Sequence, residues 1–175
     1  MELGYPTGFN NSASAKRILV EYRSLLSSKA FPHLVVNFEN NTNINIWYIE
    51  IANYDLGPRL NRDLITYANR YSRSPSILFE IRFPPNYPID PPFVRIVRPR
   101  FQFRTGFVTI GGSICNHGLT KSGWNIQNTI EGILVEVTVN FNEGGGGLDI
   151  AGSAWDYTLV EAEDAYRRFV RLHGW

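Results

Sequence analysis

The sequence predicts an α+β domain, a four-stranded antiparallel meander flanked by an N-terminal helix, a central helix and a C-terminal helix. Two patterns carry that prediction. Apolar residues recur at helical spacing near both ends of the chain, and much of the segment between them alternates with the period of a strand. A third feature, the proline-rich stretch Pro84 to Pro92, separates the last two alternating runs with a crossing that cannot be helical.

Residues 1–13 are small, polar and without periodicity, and read as a flexible leader ahead of a domain over residues 14–175. Ile18, Leu19, Tyr22, Leu25 and Leu26 then form one apolar stripe of a first helix, with Lys16, Arg17 and Arg23 on its other faces. Leu34, Val36 and Phe38 alternate, Asn40 to Asn43 supply turn chemistry, and Ile44 to Ile51 form a second β-rich run, so the pair reads as an antiparallel hairpin. Leu60, Leu64, Tyr67, Ala68 and Tyr71 return to helical spacing, which inserts a short helix before the third strand. Ile77, Phe79, Ile81 and Phe83 share one face of that strand, and residues 93–98 form the fourth.

The central helix is expected from Ile126 through Ile130, Ile133, Leu134 and Val137 to Phe141, all at a 3.6-residue period. The run Gly144 to Gly147 ends it, as a loop expected to be mobile because glycines impose no conformation. Leu159, Ala162, Tyr166, Phe169, Val170 and His173 mark the last amphipathic helix.

A chain of 175 residues with 43% hydrophobic and 19% charged residues suits one folded domain and is short for two. A net charge of +1 supplies no overall field toward nucleic acid or an anionic membrane, so neither is expected as a partner. Apolar runs such as Gly132 to Val139 are too short to span a bilayer, and Met1 to Asn11 shows no basic region followed by an apolar run. The single cysteine, Cys115, can form no internal disulfide and has no second cysteine to build a zinc site. It is either a buried small hydrophobe or a nucleophile, and an unpaired thiol suits a reducing compartment, cytoplasmic or nuclear.

The run Ile81-Arg82-Phe83-Pro84-Pro85-Asn86-Tyr87-Pro88-Ile89-Asp90-Pro91-Pro92, followed by Cys115, Trp124 and a helical period, resembles the ubiquitin-conjugating (UBC) enzyme family. The inserted segment Leu60 to Tyr71, the glycine-rich approach to the cysteine and the terminal Tyr166-Arg167-Arg168-Phe169-Val170-Arg171-Leu172-His173-Gly174-Trp175 look like the Q-type branch of that family. The resemblance implies the UBC fold, and a function in which Cys115 accepts ubiquitin as a thioester from an activating enzyme and passes it to a substrate lysine or to a ligase. A thiol suits that task, because its thiolate is strongly nucleophilic and its thioester stays reactive toward amines. The partners implied are ubiquitin or a ubiquitin-like protein, an activating enzyme, a ubiquitin ligase and a protein substrate. No metal and no organic cofactor is implied, and Gly144 to Gly147 lack the lysine of a phosphate-binding loop.

The resemblance breaks where most of the family carries a His-Pro-Asn tripeptide, for here stands Thr105-Gly106-Phe107. Phe107 offers no side-chain amide, so oxyanion stabilisation needs another donor: the side chains of Asn116 or His117, or the backbone amides around Gly111 and Gly112. His117 is also a candidate general base, its alternative being a solvated loop histidine, and Asp149 falls near the position of an acidic residue in related enzymes. By the same carry-over Ile89 would face ligases at the tip of the proline crossing, with Asn125, Ile126 and Gln127 on a second ligase-facing loop. Lys16, Arg17 and Arg23 match the region that meets the activating enzyme, or else form a solvated helix face. Trp124 reads as a packing residue. The rival reading is a catalytically inactive UBC-variant or RWD-type module that binds or scaffolds ubiquitin. Cys115 argues against it, and the missing tripeptide mildly for it.

Overall fold

The protein is described here by a computed structural model covering residues 12–175. Of the expected leader, residues 1–11 lie outside the described residues, and Ser12 and Ala13 are the N-cap and first residue of helix α1 (Ala13–Leu26). Ser12 Oγ accepts the Ala15 amide at 3.1 Å, which satisfies one of the helix's orphan donors. The chain continues through β1 (Val35–Glu39), β2 (Asn43–Ala52), α2 (Pro58–Tyr71), β3 (Ser76–Arg82) and β4 (Phe93–Arg98). A long irregular stretch leads to α3 (Ile130–Glu143), and α4 (Leu159–His173) closes the fold.

The strands form one sheet in the order β1-β2-β3-β4, each neighbour antiparallel, so the meander follows the sequence. Register explains the alternation. Val36, Ile49, Phe79 and Ile96 stand opposite one another in one row across all four strands, and Phe38, Trp47, Ile81 and Val94 in the next. Both rows face the core, where Leu134, Val137 and Phe141 of α3 are buried and the Phe141 ring stacks on Phe79 at 6.1 Å. On the opposite side of β3 the wholly buried Glu80 pairs with Arg95 and Arg82, and Arg95 Nη1 also donates to the Tyr157 carbonyl at 3.0 Å. A buried charge is tolerable only with such partners.

Two expectations need correction. The central helix starts at Ile130 rather than Ile126, because Thr129 Oγ1 caps it by accepting the Gly132 amide at 3.1 Å. Upstream, Asn125 Oδ1 accepts the Gln127 amide at 2.9 Å, and this local turn holds Ile126 out of the helix despite its matching period. The glycine run is not a free loop either. Gly106 N–H donates to Gly144 O at 2.9 Å, Arg59 Nη1 to Gly145 O at 2.9 Å, Gly146 N–H to Phe141 O at 2.7 Å and Gln102 N–H to Gly147 O at 2.8 Å. Glycine is needed at 146 for packing, since a Cβ there would lie 2.7 Å from the Phe141 carbonyl oxygen.

Candidate active site around Cys115

Cys115 stands one residue beyond a tight turn hung on β4. The turn closes through the Val108–Ile114 bridge and two bonds, Thr109 N–H to Ser113 O at 3.0 Å and Gly112 N–H to Thr109 O at 2.9 Å. Ile96 N–H to Gly112 O at 2.8 Å and Ile114 N–H to Val94 O at 3.2 Å fix it to the strand. Its glycines are structural: a Cβ on Gly111 would sit 2.1 Å from the Glu161 carbonyl oxygen of α4, and Gly112 has φ +89° with the Tyr157 ring against it. Of the backbone amides considered as oxyanion donors, that of Gly112 is therefore already engaged within the turn.

The Cys115 amide donates to the Phe107 carbonyl at 2.9 Å, which positions the thiol beside the segment Thr105-Gly106-Phe107. That segment is strained. Arg104, Gly106 and Phe107 have φ of +61°, +63° and +54°, a region a bulky aromatic rarely adopts. The Phe107 ring packs over Gly144, where a Cβ would come within 2.8 Å of it. The thiol itself is half-buried, and desolvation of its anion pushes its pKa up to about 11.

Cys115 opens into a cavity of about 630 Å³ between the 103–110 segment and the C-terminal half of α4. Ala165, Arg168, Phe169, Leu172 and His173, a stripe at i, i+3, i+4, i+7 and i+8, form the helix side of it. His173 is thus brought to the same cavity as the thiol, whereas sequence reading assigned it only to the helix face. The signal was available in that spacing, but nothing in the sequence says which face meets the cysteine.

The other candidate residues are placed as follows. His117 does not line this cavity: its Nε2 lies 3.3 Å from Ser122 Oγ and its ring packs edge-on to Trp175 at 4.8 Å. Asn116 Oδ1 accepts the Gly118 amide at 2.7 Å and its Nδ2 donates to Glu136 at 2.9 Å, so the side chain is held at both ends. Asp149 Oδ1 accepts the Gly152 amide at 3.0 Å and does not line the cavity. Trp124 Nε1–H donates to the Pro88 carbonyl at 2.8 Å, which ties the proline crossing to the loop of Asn125, Ile126 and Gln127. Ile89 and Ile126 are exposed at the two tied loops, at 71% and 56%.

On α1, Lys16 and Arg23 are exposed, but Arg17 is not a free cation. Its Nε pairs with Glu21 at 2.7 Å and its Nη2 donates to the Asn128 carbonyl at 2.9 Å. Glu21, only 3% exposed and marked by no motif in the sequence, also accepts the Tyr87 hydroxyl at 3.2 Å. Among the described residues no group of three or more His, Cys, Asp or Glu could hold a metal ion, and no helix is long and apolar enough to cross a membrane.

Comparison with known proteins gives this arrangement a context. The chain is 29% identical over 164 residues to ubiquitin-conjugating enzyme E2 Q1 of Homo sapiens, covering 91% of the chain and 38% of that protein. It is 29% identical over 171 residues to a ubiquitin-conjugating enzyme E2Q-like protein of Drosophila melanogaster, covering 95% of the chain and 54% of that protein. Over 165 residues it is 28% identical to ubiquitin-conjugating enzyme E2 25 of Caenorhabditis elegans, covering 91% of the chain and 42% of that protein. The chain therefore spans about half or less of these relatives. Solved structures of ubiquitin-conjugating enzymes E2 from Plasmodium falciparum and Plasmodium vivax share its fold at 20% identity, with TM-scores of 0.55 and 0.54. They cover 73% and 72% of this chain, and 96% and 99% of theirs. No protein-family model matches the chain. The chain has the UBC fold and resembles the ubiquitin-conjugating enzymes, their Q branch in particular.

Proposed function

We propose that this chain is a ubiquitin-conjugating unit in which Cys115 accepts the ubiquitin C-terminus as a thioester and transfers it to a substrate lysine or to a ligase. One observation carries the reading: the chain's single thiol, on a turn fixed to β4, faces an open cavity in a fold that resembles these enzymes. In charging, Cys115 Sγ attacks the carbonyl carbon of the donor thioester, the new C–S bond forms as the old one breaks, and the donor thiolate leaves with the proton. A thiol held up to about 11 is protonated at neutral pH, so charging needs a base. His173, which lines the cavity, supplies it in preference to His117, which faces Ser122 and Trp175. Asn116, next to Cys115 in sequence, keeps one Nδ2 hydrogen beyond its bond to Glu136 and is the side-chain candidate for donor to the developing oxyanion.

Ile89 and Ile126, exposed on two loops joined by the Trp124–Pro88 bond, offer apolar side chains to a ligase, and Lys16 and Arg23 offer exposed charge to an activating enzyme. A lone reactive thiol suits the reducing cytoplasm or nucleus. The phenylalanine at position 107, where the related tripeptide has an asparagine, favours a second reading, an inactive ubiquitin-binding module. Intact-protein mass after incubation with activating enzyme, ubiquitin and ATP separates the two. A reductant-labile adduct of one ubiquitin that Cys115→Ala abolishes supports the enzyme; no adduct with ubiquitin or a panel of ubiquitin-like proteins supports the module.

A further inference from the structure

Four large apolar side chains that the fold leaves exposed, Phe103, Phe107, Ile110 and Leu172, stand around the groove that Cys115 opens into. The groove also carries one sign of charge. Arg104 and Arg168 line it, and no Asp or Glu does. Neither arginine has a carboxylate partner among the described residues: Arg168 Nε reaches only the Asp164 backbone carbonyl at 3.2 Å, and Arg104 lies over the Phe103 ring at 5.1 Å. The neighbouring Arg167, by contrast, is paired with Glu163 and Asp164.

Building on the thioester reading above, we propose that this groove receives the acceptor segment of the substrate and selects a lysine flanked by apolar and acidic residues. A lysine is itself cationic, so two unpaired arginines repel it unless its neighbours bring carboxylates to them. Phe103, Ile110 and Leu172 bury the apolar neighbours of such a segment. Nearby positive charge and a desolvating wall also favour the neutral amine, the form that reacts. The lysine nitrogen attacks the thioester carbon, the C–N bond forms as the C–S bond breaks, and the electron pair returns to Cys115 Sγ. The proton released by nitrogen ends on that sulfur by way of His173.

The test uses two fluorescein-labelled peptides of equal length, each with a central lysine, flanked in one by leucine and glutamate and in the other by leucine and lysine. They are titrated by anisotropy against the uncharged protein, and the unlabelled peptides are offered to protein charged with ubiquitin. The acidic peptide is expected to bind about tenfold tighter and to be modified faster, an advantage that shrinks as salt rises. Arg168→Glu should weaken the acidic peptide about threefold or more and strengthen the basic one, while Leu172→Ser weakens both. Equal binding of the two peptides, a preference for the basic one, or no change in a folded Arg168→Glu protein overturns the proposal. So does self-association that Leu172→Ser removes, which would assign the groove to a second copy. If peptide preference appears but Cys115 never charges, the thioester reading fails alone; if Cys115 charges but the peptides are not distinguished, the groove assignment fails alone.

Discussion

Glu21 Oε2 accepts the backbone amide of Ile130 at 3.0 Å, so a carboxylate from α1 caps the helix beneath the sheet. The same carboxylate holds Arg17 and the Tyr87 hydroxyl, and one side chain therefore joins the first helix, the proline crossing and the first turn of α3. Negative charge at a helix N-terminus is favourable, and burial makes the loss of any partner costly.

Removing that junction should be felt across the domain. Glu21→Ala is expected to lower stability by about 2–3 kcal/mol, while Glu21→Gln, which keeps an acceptor for Ile130, should lose less. Urea unfolding of the two variants checks this. Equal losses for both would mean that the charge and not the cap matters.

The half-buried thiol sets a pH dependence. Its pKa, pushed up to about 11, predicts that the alkylation rate of Cys115 by iodoacetamide climbs with pH and flattens only near about 11. The folded value lies above the ordinary one, so the thiol's contribution to stability is complete below the unfolded pKa and is lost as pH rises through about 11. Rate against pH, followed by intact mass, tests the first part; a plateau near the ordinary thiol value would show that the anion is not desolvated.

Two glycines should respond differently to alanine. At Gly111 a Cβ meets the α4 backbone at 2.1 Å, so Gly111→Ala must displace the helix or the turn and should cost about 1–3 kcal/mol or more. At Gly145 the added atom meets nothing within 4 Å, and the left-handed φ of +59° alone predicts about 1 kcal/mol. Thermal unfolding ranks them, and the reverse ranking would count against the packing of α4 on the turn.

Phe107→Asn fits the observed backbone, because asparagine tolerates the left-handed region better than phenylalanine does. The variant should fold at least as well, and it adds a side-chain amide to the lining of the cavity that Cys115 opens into. If the thioester forms, its single-turnover discharge to free lysine should rise by about tenfold. Unchanged discharge would mean that Asn116 or the backbone already satisfies the oxyanion.

The two histidines make a paired prediction. His173→Ala should slow single-turnover discharge by about a hundredfold, whereas His117→Ala should change it little. The opposite outcome would return the base to His117.

The fold was legible wherever burial imposes a period. Val36 and Phe38, Trp47 and Ile49, Phe79 and Ile81, and Val94 and Ile96 alternate in sequence because the two rows they form face the core, and Leu60, Leu64 and Tyr67 recur at helical spacing because they are buried on one side of α2. Period alone misplaced the start of α3, since Ile126 continues it by coincidence and the decision belongs to Thr129 and Asn125. Composition misread the glycine run, which is held by backbone hydrogen bonds and, at Gly146, by close approach to the Phe141 carbonyl. Around the candidate site, Cys115 stood out in the sequence as the one thiol, but the cavity's His173 and Arg168 did not. They line the same cavity from a helix distant in sequence, a placement that no local pattern encodes.

The burial around Cys115 has a consequence for redox chemistry. Peroxide and mixed-disulfide exchange attack through the thiolate, and a thiol held up to about 11 presents almost none of it at rest. The resting protein should therefore resist sulfenic acid formation and glutathionylation better than an ordinary exposed cysteine would. The same seclusion that makes the sulfur slow to ionise keeps it reduced.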